Sequence, residues 1–159
     1  VYENIEHHDW VSLQSTQEEL TLKTRKLDDK MAKIAEEILA STDDKRVGPH
    51  RSSHRYIRGQ LSRLKMPDNV NILLQAFKIG DLAIAAIPFE VFAETGLEIK
   101  EKSSFKPTFT VSFANGTFGY LPTPRQHEWG GYESWVSRFE YNTSERIVDT
   151  LMEMFDKFN

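Results

Sequence analysis

The sequence predicts a mixed α/β (α+β) domain: a small sheet with flanking helices. Three observations lead there. Residues 70–79 and 81–87 are two apolar-rich runs of strand length, separated at Gly80-Asp81. Residues 143–158 place Ile147, Val148, Leu151, Met152 and Phe155 on one face at helical spacing. The elements between them do not alternate strand and helix regularly, so a doubly wound chain is not expected. With 159 residues, 39% of them hydrophobic, the chain can bury one substantial core. A single domain, 1–159, is therefore expected, with a helical N-terminal portion (1–66) and an α/β portion (67–159).

Taken in order, residues 1–13 show no sustained period. His7, His8 and Asp9 are adjacent, and adjacent side chains diverge on a regular backbone, so an ordinary surface or linker segment is expected there. Thr16 and Glu19 have capping-box spacing, and Leu20, Leu27, Met31, Ile34, Ile38 and Leu39 then recur near a helical period, predicting one long helix over about residues 17–40. Residues 41–50 read as a loop. Residues 52–64 predict a second helix carrying a basic cluster, Arg51, Arg55, Arg58, Arg63 and Lys65. Without glycine-rich or aromatic partners, that cluster reads as a solvated face rather than a phosphate site.

The two strands at 70–79 and 81–87 are expected to form a tight hairpin. Pro88 should end the second strand, because proline cannot continue a central ladder. A helix is then predicted over 89–102, with Glu90 in its first turn, where the free N–H groups favour an anion. Gly96 within it suggests close backbone packing. Residues 105–113 alternate as a half-buried strand, Asn115-Gly116 turns the chain, and residues 118–121 form a short extended piece ended by Pro122. Residues 123–135 read as an irregular loop, and the helix at 143–158 closes the domain.

Composition removes several classes of function. Twenty basic against 24 acidic residues give a formal charge of -4, unlike a general nucleic-acid binder. With no cysteine, disulfides, thiolate metal sites and cysteine nucleophiles are excluded. No apolar run approaches transmembrane length, and the first residues do not open a signal peptide. A start at Val1 rather than Met suggests trimming or a longer parent chain.

Two stretches can carry chemistry. Glu90 stands after a strand end and a proline, where it serves either as a metal ligand or base, or simply as a helix-start acid. The stretch from Gly119 to Glu133 holds Tyr120, His127-Glu128 and Tyr132 among glycines and prolines that let a long loop be ordered. Its tyrosines either point hydroxyls into a site or sit half-buried as amphipathic aromatics.

At these residues the chain resembles a known family. Gly80-Asp81-Leu82-Ala83-Ile84-Ala85-Ala86-Ile87-Pro88-Phe89-Glu90 and Gly96-Leu97-Glu98-Ile99-Lys100 are similar to neutral/alkaline non-lysosomal ceramidases and their bacterial relatives. So are Val111-Ser112-Phe113-Ala114-Asn115-Gly116, Gly119-Tyr120-Leu121-Pro122-Thr123 and Gly131-Tyr132-Glu133, a resemblance spanning about residues 70–158. It implies the C-terminal part of a larger, layered catalytic domain that hydrolyses the amide of N-acylsphingosine or a related lipid at a zinc ion. Glu90 and Tyr120 then match metal ligands, and Tyr132, twelve residues beyond Tyr120, matches a tyrosine that touches the substrate's polar head. Phe89 stands where the family has glycine, and Gly131 where it has arginine. The family's zinc histidines lie upstream in motifs this chain lacks, and His7, His8, His50 and His54 match none of them.

The resemblance thus implies Zn2+ only with histidines supplied from elsewhere, no amidase activity in isolation, and a partner: the N-terminal portion of the same enzyme, or a homo-oligomer. It also suggests a secreted or periplasmic setting. The alternative is a non-catalytic structural or protein-interaction module derived from that family, binding no metal.

Overall fold

The structure, a computed structural model, describes residues 5–27, 29–40 and 53–159. The hairpin stands at the centre of the fold. Strand β2 (Asn69–Ile79) turns through Gly80, at φ +57°, into antiparallel β3 (Leu82–Ile87), with Ile79 paired to Leu82. A positive φ at the first residue of a two-residue turn matches the strands' twist and favours glycine. Ala83, Ala85 and Ile87 point inward from β3, as do Ile72, Leu74 and Ala76 from β2, and all are buried.

The expectation of one helix over 17–40 is corrected. Residues Leu13–Lys23 form β1, antiparallel to β2 from Leu13–Ile79 to Lys23–Asn69, and the helix is α1 (Asp29–Ala40). An alternating stripe decides it: Thr16, Glu18 and Leu20 are half-buried and Leu22 and Thr24 buried, while their neighbours on β1 face solvent. Docking that stripe against β2 outweighs the helix propensity of Glu18, Glu19 and Leu20. The second predicted helix is present as α2 (Ser53–Ser62), followed by a 3-10 turn, Arg63–Lys65. Its basic face is not uniformly solvated. Arg58 and Lys65 are exposed, but Arg63 is buried; Arg51 lies outside the described residues.

After β3 the chain makes a two-residue strand, β4 (Glu90–Val91), before helix α3 (Ala93–Lys102). Strand β5 (Thr108–Ser112) then lies parallel to β3, completing a mixed sheet in the order β1-β2-β3-β5. Gly96 is not a point of close packing: a methyl there would meet nothing nearer than Thr110 Oγ1 at 3.9 Å. The short extended piece is β6 (Tyr120–Leu121), parallel to β4 in a second, two-stranded sheet.

Residues 123–135 are more regular than expected. They form α4 (Pro124–Trp129) and α5 (Tyr132–Val136). Thr123 caps α4 with Gln126 in a reciprocal box, and Pro124 occupies the first turn, a start signal legible in the sequence. Helix α6 (Thr143–Asp156) lays Ile147, Leu151 and Phe155 across the inner face of the sheet as predicted. The outer face carries a cross-strand row, Phe77–Ile84–Phe109, with Val111 and Ile79 beside it. Phe109 and Val111 are 41% and 40% exposed. No helix among the described residues is long and apolar enough to cross a membrane.

Candidate functional site

Backbone pairing builds the site. Pro88 ends β3, and the carbonyls of Pro88 and Phe89 accept from the N–H groups of Phe118 and Phe113. Glu90 N–H donates to the carbonyl of Gly119 at 2.9 Å. The Glu90 amide is thus committed to a strand, and Glu90 does not lie in a helix's first turn; the acid there is Glu94. Alternation buries Phe89 completely and leaves Glu90 exposed. The Phe89 ring packs on Phe139 at 5.3 Å and Phe118 at 5.7 Å. Phenylalanine at this position therefore fills the core and leaves the approach to Glu90 open.

Glu90 is the register partner of Tyr120. The Tyr120 ring meets that of Tyr132 edge-on, with centroids 5.9 Å apart. The three residues singled out in the sequence are therefore neighbours, brought together from β4, β6 and the start of α5. Glu90, Val91, Phe92, Tyr120 and Glu133 line a cleft of about 210 Å³. Burial, then the negative field of Glu90, then Tyr132 and Glu133, push the Tyr120 phenol above its usual range; a hydrogen-bonding contribution from Glu90 comes last. Glu133 is an acid of the cleft that the sequence did not single out.

As a metal centre this set is partial. A carboxylate beside a phenol fits two oxygen ligands of a zinc site, which takes about four donors. Among the described residues there is no group of three or more His, Cys, Asp or Glu able to hold an ion, and no described histidine lines the cleft. His7 and His8 lie in an exposed segment; His50 and the side chain of His54 lie outside the described parts. His127 sits instead on α4 with its ring 4.5 Å from that of Tyr141, and its Nδ1 is 3.5 Å from Arg25 Nη1. Burial, with the fields of Arg25 and Arg63, lowers its pKa to about 4.

The chain matches no protein-family model and no curated protein. Among solved structures it is similar to the neutral ceramidase from Pseudomonas aeruginosa, at 19% identity and a TM-score of 0.50, over 54% of this chain and 15% of that one. Over that part the fold is ceramidase-like. A ceramidase complexed with C2 is similar at 20% identity and a TM-score of 0.49, over 54% of this chain and 14% of that one. The chain thus spans about 15% of the length of the ceramidase it resembles.

Proposed function

We propose that this chain is the C-terminal portion of a ceramidase-like amide hydrolase and contributes Glu90, Tyr120 and Tyr132 to its catalytic centre. The observation that carries this reading is the pairing of Glu90 with Tyr120 across β4–β6, with Tyr132 packed on the Tyr120 ring. Glu90 and Tyr120 would hold a zinc ion together with histidines from an N-terminal portion of the same enzyme, or from a second copy. Zinc in such a centre supplies Lewis-acid polarisation of the scissile carbonyl. Glu90 provides a charged oxygen on a strand fixed at its own N–H. Tyr120 would offer its phenol oxygen to that ion; without a cation, burial and then the charge of Glu90 raise its pKa and oppose the phenolate, so its ligation depends on the ion being held by the other donors as well. Tyr132 would orient the amide or hydroxyl group of an N-acylsphingosine-like lipid.

The open apolar row on the outer sheet face supports the partner in this proposal, because a further layer there would bury Phe109 and Val111. Calorimetric zinc titration tests the reading. The chain alone should bind zinc weakly or not at all, and its complex with the N-terminal portion should bind one ion and hydrolyse the amide. One tight zinc per isolated chain would overturn the shared site. The exposure of Glu90 and the partial ligand set favour one rival, a non-catalytic interaction module. That rival expects no zinc in the complex either.

A further inference from the structure

Helix α5 has five residues and starts at Tyr132. A helix this short is not stable by itself, and its last carbonyls have no partner within it. Its connection to α4 runs through Gly130 and Gly131 at φ +74° and +109°, with Gly130 N–H donating to the Gln126 carbonyl at 2.9 Å and Trp135 N–H to the Gly131 carbonyl at 3.0 Å. A larger set of side-chain donors meets α5 at its other end. Arg25 Nη2 donates to the carbonyls of Ser134 at 2.9 Å, Trp135 at 3.1 Å and Ser137 at 3.1 Å. Gln60 and Arg63 of the second helical segment add donors to the Trp135 carbonyl. Ser134 Oγ, buried, donates to the carbonyl of Gln126 at 2.7 Å and ties α5 to α4.

Arg25 is itself held. Its N–H donates to the Arg138 carbonyl at 2.9 Å, directly after the bridge between Thr24 and Phe139. Its Nη1 reaches His127 Nδ1, and its guanidinium lies 5.5 Å over the Tyr141 ring. The two hydrogens of Nη2 are shared among the three carbonyls while the other arm, Nη1, faces His127, so the planar fork bridges the end of α5 to α4. A cation there is also favoured by the helix dipole. A lysine keeps the charge but has a single nitrogen and cannot make both sets of contacts in this geometry.

We propose that Arg25 is the positioning residue of the tyrosine pair: it holds the C-terminal carbonyls of α5 and so sets where Tyr132 meets Tyr120. The bearing on amide hydrolysis rests on the role proposed above for Tyr132; the positioning itself does not, and it is read without any activity. The chain is labelled with 3-fluorotyrosine, and the Tyr132 resonance is assigned by its loss in Tyr132→Phe. In both Arg25→Met and Arg25→Lys the Tyr132 signal, from a ring already 38% exposed, should shift away from its parent position as the neighbouring Tyr120 ring is lost. The ring-to-ring nuclear Overhauser contact with Tyr120 should disappear, while the melting transition stays cooperative. A folded Arg25→Lys that keeps the Tyr132 signal and that contact unchanged overturns the proposal.

Should Arg25→Met fail to fold, Ser134→Ala decides together with Arg25→Lys. It leaves Arg25 in place, so the Tyr120–Tyr132 contact should weaken without vanishing. A complete loss in Ser134→Ala with no change in Arg25→Lys would assign the positioning to the α4–α5 tie instead. In an active complex, loss of turnover in Arg25→Lys with an intact Tyr120–Tyr132 contact would likewise count against positioning. Loss of the contact in a complex that never hydrolyses amides would leave Arg25's role standing and remove the catalytic reading alone.

Discussion

Glu90 and Tyr120 face each other as register partners across two parallel strands of two residues each. Burial is the larger cause of the raised Tyr120 pKa, and the charge of Glu90 in that position is the second. Glu90→Gln should therefore lower the Tyr120 titration only part of the way, the share due to burial remaining, as followed by ultraviolet difference absorbance with Tyr120→Phe as the blank. Glu90 is exposed, so unfolding stability should change by no more than about 0.5 kcal/mol.

On the function proposed above, a complex with the N-terminal portion should lose at least about 100-fold of its amidase activity in Glu90→Ala, since even outer ligands of metal sites are worth 10–100-fold. Sedimentation and circular dichroism should show the complex intact. Retained activity with bound zinc would mean that the ion is held elsewhere.

His127 sets a pH dependence. Its pKa is lowered in the folded chain to about 4 from 6.5, so between these values the unfolded chain binds more protons. The stability this represents is present in full above pH 6.5 and is lost as pH falls towards 4. Urea unfolding at pH 7 and pH 4.5 should show a smaller drop for His127→Gln than for the parent chain. Equal drops would mean that the imidazole titrates normally.

Phe89→Ala should cost about 3–5 kcal/mol, because the ring is wholly buried among Phe118 and Phe139 and its removal leaves a cavity. Chemical denaturation measures it. A cost under about 1 kcal/mol would show that the cluster collapses into the space.

The outer sheet face predicts association. At micromolar concentration the isolated chain should sediment as more than a monomer, and Phe109→Asp should return it to one. A well-behaved monomer of the parent chain would mean that Phe109 and Val111 need no cover.

How legible all this was depended on where each signal is written. Helix α6 and the β2–β3 hairpin were visible because their apolar period, and the turn at Gly80-Asp81, are local. Strand β1 was not, since its inward positions include Thr16 and Glu18, and its pairing with β2 is decided by residues far along the chain. Glu90, Tyr120 and Tyr132 came from the family resemblance; their residue types alone left a helix-start acid and two surface aromatics open. The two-residue strands that join them are too short for any periodicity. Arg25 carried no signal at all, because its partners are backbone carbonyls 109 to 112 residues away, which every residue possesses.

The separation of β1 from β2 has a consequence for the order of assembly. The β2–β3 hairpin closes through two residues, a microsecond event, whereas β1 must wait for the whole stretch between Lys23 and Asn69 before its partner exists. During synthesis β1 emerges before β2, so the β1–β2 pairing cannot form until β2 has been made. Because closure cost grows only slowly with length, the same excursion is where insertions would disturb the sheet least.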